Sequence, residues 1–278
     1  MKRYSLSDKV VLITGAGRGL GEATAVTLSR RGARVVLADV DLPAAQRVAG
    51  TLPESRGLAL ECDVSQFDSV AEAVRRTREQ FGRIDVVIAN AGVLGRGGTF
   101  RTLTPAQVGG VMSVNVDGVV NTVAATIESV ISSGGQIVLV SSVFAYLNGA
   151  GAVPYAMSKA AVEQLGRGLH VELASHGASA MTAYFSLIET DMIRQGVDAD
   201  PHVSALMSAM PKFVVKRIKP QVAAAAIADG LEGRRSSITV PGRWRPVAAL
   251  RGVAGPIMDA TLARNVPVQQ ALTKLENR

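Results

Sequence analysis

The chain has 278 residues, of which 47% are hydrophobic and 19% charged, and its formal net charge is +7. This composition supplies a sizeable apolar core and excludes a disordered chain. Cys62 is the only cysteine, so no intrachain disulfide can form, and a small buried apolar role is its simplest interpretation. Residues 1–8 are too polar for a signal peptide, and the sequence has no uninterrupted apolar run of about 18 residues. We therefore expect a cytoplasmic protein without a transmembrane segment.

The first predicted element is a strand that ends in a glycine-rich turn. The strand is Val-Val-Leu-Ile-Thr at 10–14, and Gly-Ala-Gly-Arg-Gly-Leu-Gly follows at 15–21. Such glycines let backbone N–H groups approach a pyrophosphate at a helix N-terminus, although a tight turn can need glycine for steric reasons alone. The next strand ends on Asp39, close to the spacing of about 20 residues at which a carboxylate meets the adenosine ribose. The pattern indicates a dinucleotide site.

Further along the chain, apolar runs alternate with helical patterns, which predicts a parallel sheet covered on both faces. We expect strands near 9–14, 34–39, 57–62, 84–89, 136–141, 180–185 and 237–241. Helices are expected near 20–31, 43–51, 66–81, 105–131, 154–175 and 219–232. Ser65 and Thr104 are predicted to cap two of them. Right-handed crossovers give a Rossmann-type, doubly wound α/β sheet of seven mostly parallel strands, in the order 3-2-1-4-5-6-7.

No linker divides the chain, so one catalytic domain over 1–278 is expected. Within it, residues from about 191 to 215 would form a substrate lid, and residues from about 242 to 278 a basic C-terminal extension.

Three residues suggest acid-base chemistry at the carboxyl end of this sheet. Tyr155 and Lys159 lie one helical turn apart, where an ammonium favours the phenolate form of tyrosine. A free tyrosine titrates near ~10, so neutral-pH catalysis needs such a neighbour. Ser142 closes the strand at 136–141, at the edge where open α/β sheets bind ligands. Taken alone, the Tyr-Lys pair is more typical of a surface pair on an amphipathic helix, and the other motifs of the chain reverse that interpretation.

Together these motifs resemble the short-chain dehydrogenase/reductase family over about residues 8–192. Its T-G-x-x-x-G-x-G motif matches 14–21, its N-A-G motif matches 90–92, and its Tyr-x-x-x-Lys motif matches Tyr155 and Lys159. The resemblance implies these cofactor-binding residues: Thr14, Gly15, Gly17, Arg18, Gly19, Leu20, Gly21, Asp39, Asp63, Val64, Asn90, Ala91, Gly92, Tyr155, Lys159, Ile188 and Thr190.

The same resemblance implies hydride transfer between a nicotinamide cofactor and a secondary alcohol or ketone. Tyr155 would transfer the hydroxyl proton, and Lys159 would lower its pKa and bind the nicotinamide ribose. Ser142 would bind the substrate oxygen, and Asn115 would support a water relay from Lys159. Two alternatives stay open: a catalytically idle NAD-binding sensor or scaffold, and a lyase or epimerase that uses bound NAD transiently.

The sequence departs from the family after the sixth strand. The family's Pro-Gly is replaced by Phe185-Ser186, although Ile188 and Thr190 still stand where the family holds the nicotinamide carboxamide. Phe185 could wall the nicotinamide pocket or simply belong to the core.

Two residues disagree about the choice of cofactor. Arg18 stands where some NADP-dependent relatives carry a basic residue, whereas Asp39 would repel a 2′-phosphate. Val40 follows Asp39, where an arginine would help to receive that phosphate. We expect NAD(H) to be preferred and NADP(H) to be the poorer cofactor.

The expected substrate is an apolar alcohol or ketone, because the loops beyond the strand ends, near 95–102, 143–153 and 191–213, are rich in apolar residues. The candidate substrate contacts are Ser142, Phe144, Tyr155 and Met192.

Residues 211–251 hold nine basic and two acidic side chains. A solvated basic face is the simplest interpretation, with weak contact to anionic lipid or a phosphorylated carrier as an alternative. We expect no nucleic-acid partner, because no binding motif accompanies these charges. The three histidines show no metal-ligand spacing, so no metal is expected. In the family, the helices corresponding to 105–131 and 154–175 pair across a two-fold axis, which implies a homodimer or homotetramer.

Overall fold

The computed structural model describes residues 3–54 and 56–277, apart from the side chains of Lys212 and Phe213. Its centre is a parallel seven-stranded sheet with the order β3-β2-β1-β4-β5-β6-β7, which confirms the predicted topology. The strands are β1 (Val10–Thr14), β2 (Arg34–Asp39), β3 (Gly57–Glu61), β4 (Val86–Ala89), β5 (Gln136–Ser142), β6 (Ser179–Phe185) and β7 (Ser237–Val240). Each predicted strand begins and ends within two residues of the observed one.

The helices of the first part of the chain cover both faces of this sheet. They are α1 (Gly19–Arg30), α2 (Leu42–Ala49), α3 (Phe67–Phe81), α4 (Pro105–Met112), α5 (Gly118–Ser132) and α6 (Val153–Glu172), and α10 (Pro220–Glu232) joins them later in the chain. A π-helical turn, Ser113–Asp117, links α4 to α5, so the predicted helix over 105–131 is continuous but contains a π turn.

The central strands are apolar throughout because helices bury both of their faces. Within β1, Val11 and Ile13 belong to one buried cluster, which α1, α2 and α10 cover. Val10 and Leu12 belong to a second cluster on the opposite face, which α3, α5 and α6 cover. The strands pair in parallel register, with Val11 opposite Val35 on β2 and Val86 on β4. The carboxyl ends of β1, β4, β5 and β6 therefore meet along one edge of the sheet.

The two predicted helix caps have different outcomes. Thr104 caps α4 as expected, in a capping box with Gln107 and with Pro105 in the first turn. The prediction for Ser65 is wrong, because Gln66 occupies the N-cap of α3 without a side-chain cap hydrogen bond. The Ser65 hydroxyl instead donates to Asp63 Oδ1 at 2.7 Å, and this bond shapes the turn after β3.

In the described part of the chain, the continuous helical run from 105 to 132 is long and apolar enough to cross a membrane. The same criterion is met by core helices of soluble proteins, and here Val119, Val123 and Val130 are buried in the second cluster. The run is therefore weak evidence for a membrane span.

The end of the chain carries helices that the sequence analysis did not predict. Three lie in the lid region, α7 (Asp191–Ile193), α8 (Pro201–Ala209) and α9 (Lys212–Val215), and three in the extension, α11 (Arg245–Ala249), α12 (Arg251–Arg264) and α13 (Val266–Glu276). Helices α8 and α13 pack on each other around a third, smaller apolar cluster.

Several basic side chains of residues 211–251 form ion pairs or hydrogen bonds with other parts of the chain. Arg217 pairs with Asp198, and Arg251 pairs with Glu163 on α6. The Arg234 guanidinium donates to the carbonyls of Gly134, Gly135 and Gly177. These contacts give part of the stretch a role in joining elements of the fold.

Candidate active site

A cleft of about 770 Å³ opens along the carboxyl edge of the sheet. Most of the predicted site residues line it: Gly15, Arg18, Gly19, Leu20, Gly21, Asp39, Asp63, Val64, Asn90, Ala91, Gly92, Ser142, Phe144, Tyr155, Lys159, Ile188, Thr190 and Met192. Thr14, Gly17 and Asn115 lie outside the lining, and their contacts below show that they support it.

The glycine-rich turn forms one end of the cleft. Gly15 and Gly19 have φ of +64° and +59°, a backbone conformation that favours glycine. A Cβ on Gly21 would lie 2.1 Å from the Gly15 carbonyl oxygen, so the turn leaves no room for a side chain there. The first N–H groups of α1 have no partner within the helix, and the helix dipole makes this end favourable for an anion. The turn thus has the chemistry of a diphosphate cradle.

Thr14 and Asn90 fix this turn to β4. Thr14 Oγ1 accepts hydrogen bonds from the backbone N–H groups of Asn90 and Ala91 at 3.1 and 3.2 Å. In return, Asn90 Nδ2 donates to the carbonyls of Thr14 and Gly15 at 2.9 and 3.0 Å. The side-chain amide of Asn90 thus holds the backbone of the glycine turn in place by hydrogen bonds.

The Asp39 carboxylate lies beside the same turn, and it is only 5% exposed. Its Oδ2 accepts from the Gly17 N–H at 2.8 Å, and its Oδ1 accepts from the Asp41 N–H at 3.0 Å. Arg18 is exposed at the rim, and Val40 is 63% exposed. Asp39 can therefore serve two functions at once. It shapes the glycine turn through these hydrogen bonds, and it places a carboxylate where a cofactor ribose would lie.

The predicted acid-base residues meet at the centre of the cleft. Ser142 ends β5, and its hydroxyl accepts from the Phe144 N–H and donates to the Phe185 carbonyl, both at 3.2 Å. Ser142 also hydrogen-bonds the Tyr155 side chain. The Lys159 Nζ donates to the Val140 carbonyl at 3.0 Å and lies 5.6 Å from the centre of the Tyr155 ring. Because β5 and α6 are both packed into the sheet, these groups are held in place by the core.

Burial dominates the titration of this group. It raises the pKa of Tyr155 above its usual value, and the interaction with the Ser142 side chain opposes that rise. Burial also lowers the pKa of Lys159 to about 8. At neutral pH the phenol therefore holds its proton and the lysine is mostly charged. The sequence predicted that the ammonium would set the pKa of Tyr155, whereas in this structure burial has the larger influence.

The buried charge of Lys159 gives a test through stability. An unfolded lysine titrates near ~10.4, so between about pH 8 and that value the unfolded chain binds more protons than the native one, and native stability rises with pH. Lys159→Met removes a charge whose burial is unfavourable at pH 7. We expect the variant to be inactive but more stable than the wild type by about 2 kcal/mol at pH 7, after the loss of one hydrogen bond.

Urea unfolding at pH 7 and pH 10 measures this difference, which should shrink at the higher pH. Lys274→Met, at an exposed position of α13, is the matched control and should show no such trend. Equal stability of Lys159→Met and the wild type at both pH values would contradict the buried charge.

Asn115 lies in the π-helical turn, and its side chain is fully used by the protein. Its Oδ1 accepts from the Val93 N–H at 2.7 Å, and its Nδ2 donates to the Val93 carbonyl at 2.9 Å and to the Ser158 hydroxyl at 3.0 Å. The Ser158 hydroxyl in turn donates to the Tyr155 carbonyl. Asn115 thus ties the loop after β4 to the helix that carries Tyr155. π turns occur frequently at functional sites, and the water relay predicted for Asn115 stays a prediction.

The turn that replaces the family's Pro-Gly is held by backbone pairing. The Ser186 N–H donates to the Val240 carbonyl at 3.1 Å, and Ile188 forms a parallel bridge with Ile218. Thr190 follows close to the glycine turn, because a Cβ on Gly19 would meet its methyl group at 3.1 Å. Phe185 satisfies both interpretations, since it is buried in the first cluster and also lines the cleft.

Ser186 was not among the predicted site residues. It lines the cleft, it is 7% exposed, and its buried hydroxyl has no hydrogen-bond partner in the described structure. A buried unpaired hydroxyl is unfavourable unless a ligand satisfies it. The only sequence signal was its position in place of the family's glycine.

The described residues, 3–54 and 56–277, contain no group of three or more His, Cys, Asp or Glu side chains that could hold a metal ion.

Comparison with known proteins gives the family. The model of the short chain dehydrogenase family matches residues 9–200. The chain belongs to the short-chain dehydrogenase/reductase family. As a member, this dehydrogenase/reductase is an oxidoreductase acting on CH-OH groups.

Its relatives and structural neighbours agree. It is 36% identical to meso-2,3-butanediol dehydrogenase of Serratia marcescens over 187 residues. This alignment covers 66% of this chain and 73% of the Serratia protein. A 3-ketoacyl-(acyl-carrier-protein) reductase from Brucella melitensis complexed with NADH matches with a TM-score of 0.74 and 29% identity, over 84% of this chain and 95% of that one. A short chain dehydrogenase/reductase from Burkholderia phymatum in complex with NAD matches with a TM-score of 0.78 and 25% identity, over 94% and 97%.

Proposed function

We propose that this dehydrogenase/reductase transfers a hydride between NAD(H) and an apolar secondary alcohol or ketone, and that residues 1–278 form one catalytic domain. The observation that carries the proposal is the meeting of Ser142, Tyr155 and Lys159 in the cleft that also contains the glycine turn and Asp39.

The residues at the glycine end of the cleft fit a dinucleotide. Gly15, Gly19 and Gly21 leave the space and N–H donors that a diphosphate needs, and Asp39 offers acceptors to ribose hydroxyls. Asp63 and Val64 line the adjoining wall, where the family binds adenine. The unpaired Ser186 hydroxyl lies in the same lining and could donate to a bound amide or hydroxyl. When bound, the cofactor supplies the hydride acceptor or donor.

The chain's own residues handle the substrate oxygen and its proton. In reduction, the Tyr155 phenol donates its proton to the carbonyl oxygen, and in oxidation the phenolate accepts the hydroxyl proton. The Ser142 hydroxyl holds that oxygen, and the Lys159 ammonium favours the phenolate while it exists. Phe144 packs edge-on against the Tyr155 ring at 6.0 Å and fixes its orientation.

The substrate half of the cleft favours an apolar molecule. Its walls come from the loop after β4, the loop after β5 and the lid, and they include Leu94, Phe144, Leu187, Met192, Ile193, Val197, Val203, Leu206 and Met207. These side chains stabilise the apolar part of a substrate by removing it from water. They offer a charged substrate group few hydrogen-bond or ion-pair partners.

Turnover measurements over secondary alcohols and ketones with NAD(H) and NADP(H) test this proposal. Oxidation or reduction at substrate-dependent rates supports it. Tight NAD(H) binding without turnover across the panel would favour the sensor or scaffold, and conversion of a substrate without net change in the cofactor would favour the lyase or epimerase.

We further propose that the protein assembles through α5 and α6, as the family resemblance implies. Val120 on α5 and Met157 on α6 are 47% and 46% exposed. Ala124 follows Val120 by four residues and Ala160 follows Met157 by three, so each alanine lies on the same helix face as its partner, and both are exposed. A homodimer or homotetramer would bury these apolar groups.

Light scattering of the wild type should therefore give a mass at least twice 29.0 kDa, and Val120→Arg should give a smaller species, because a buried unpaired charge opposes association. Val253→Arg, at a 69% exposed position of α12, is the matched control and should leave the assembly intact. A wild-type mass of one chain would contradict the proposal.

A further inference from the structure

The C-terminal extension reaches each of the three loops that form the substrate half of the cleft. The family model ends at residue 200, so the role of this extension does not follow from the family match. Its contacts with the three loops show what it does in this chain.

The first contact is made by Glu276 at the end of α13. Its Oε1 accepts a hydrogen bond from the Thr99 hydroxyl at 2.8 Å, and its Oε2 pairs with Arg101 at 3.1 Å. Both partners belong to the loop after β4. The Glu276 carboxylate therefore binds the loop after β4 at the rim of the cleft.

The second contact joins α12 to the loop after β5. Asn148 Nδ2 donates to Asp259 Oδ1 at 3.1 Å. At the start of α12, Arg251 pairs with Glu163, a 7% exposed carboxylate on the helix that carries Tyr155. The extension is thus anchored on α6 before it crosses the loops.

The third contact is apolar and involves the lid. Leu206 on α8 lies in the cluster with Val268, Ala271 and Leu275 of α13, and Leu275 is fully buried. Leu206 also lines the cleft. A Cβ on Gly151 would lie 2.6 Å from Leu206 and 3.5 Å from Leu275, so the loop after β5 closes over the same pair. Leu206 is held between this loop and α13, and its position defines the cleft wall.

This third cluster shares no buried residue with the two clusters beside the sheet. Segments with their own small core can open while the rest of a protein stays folded. A separate core of this kind allows the lid and α13 to open together while the glycine turn and the Tyr155 group stay packed on the sheet.

We infer that α13 is a clasp that sets the outer wall of the substrate pocket, with Leu275 and Glu276 as positioning residues for substrate binding. The inference deepens the proposed function and depends on it for the nature of the substrate. With the clasp closed, Leu206 presses on the bound molecule and water is excluded. With the clasp open, a bulky apolar ketone can enter and its product can leave.

The test uses the 278-residue chain with Glu276→Gln and Leu275→Ala. Lys274→Gln and Ile257→Ala are the controls, at exposed positions of α13 and α12. We expect the first pair to raise the KM for a bulky apolar ketone about fivefold or more, with kcat within about twofold and unchanged NAD(H) affinity. Glu276→Gln keeps the shape of the side chain, so it tests the inference even if Leu275→Ala fails to fold.

Hydrogen exchange gives a readout that needs no turnover, so it separates this inference from the proposed function. Residues 95–103 and 201–209 should exchange faster in both clasp variants, while the sheet and the controls stay unchanged. Unchanged exchange in both segments would overturn the inference. An equal loss of NAD(H) and ketone binding would also overturn it, because the clasp contacts only the substrate half.

Discussion

Tyr155→Phe should lower kcat by at least ~100-fold, the lower end of what a positioned acid-base group contributes. The substitution removes one hydroxyl and retains the ring that packs against Phe144. Because Ser142 and Lys159 keep their own partners, the Phe185 and Val140 carbonyls, the site should stay assembled. NAD(H) affinity should change little.

Tyr146→Phe is the matched control for this measurement. The Tyr146 hydroxyl is buried without a hydrogen-bond partner in the described structure, and the residue lies outside the cleft lining. Its removal should leave kcat unchanged and stability equal or higher, since an unpaired buried hydroxyl is unfavourable. Near-normal turnover by a folded Tyr155→Phe enzyme would remove Tyr155 from the chemistry.

The sheet could be predicted from sequence because each strand carries a strong local signal. In β1 and β5, runs of buried apolar residues end in Thr14 and Ser142, and a helical pattern follows each. Parallel connections are right-handed almost without exception, so the strand order followed from the element order alone. The meeting of Tyr155, Lys159 and Ser142 followed from helical spacing and from the strand end.

Side-chain contacts across elements could not be predicted in the same way. Asn115 uses its amide on Val93 and Ser158, and Ser65 bonds Asp63 rather than capping a helix. Each outcome depends on which acceptor lies nearest after folding. Sequence spacing carries no information about that distance.

The lid and the extension were predicted as segments, but their helices were not, because α8 and α12 lack a continuous apolar face. Helix α12 contains Pro256 and buries none of its residues, and α8 buries only Leu206. Their stability comes from contacts between distant segments, such as Leu206 with Leu275. A pattern read within one window does not show such pairs.

Loss of the Asp39 charge should erode a preference for NAD(H) that we expect to be at least tenfold in kcat/KM. A 2′-phosphate carries about −1.5 to −2 charge, and at an effective dielectric of about 20 a carboxylate 5 Å away repels each unit by about 3 kcal/mol. A tenfold preference needs only about 1.4 kcal/mol. Arg18 is exposed and can turn to solvent, so it offers less attraction than Asp39 offers repulsion.

The choice of substitution matters because Asp39 also accepts hydrogen bonds from the Gly17 and Asp41 N–H groups. Asp39→Ala leaves the buried Gly17 N–H and the partly buried Asp41 N–H without their acceptor, so it should weaken the binding of both cofactors while narrowing the ratio between their kcat/KM values. Asp39→Asn keeps the shape and one acceptor, and it should narrow the ratio mainly by improving NADP(H). Arg18→Ala is the companion variant, and it should leave the ratio near the wild-type value. If the wild type instead prefers NADP(H) and Arg18→Ala removes that preference, then Arg18 selects the cofactor and Asp39 serves chiefly to hold the glycine turn.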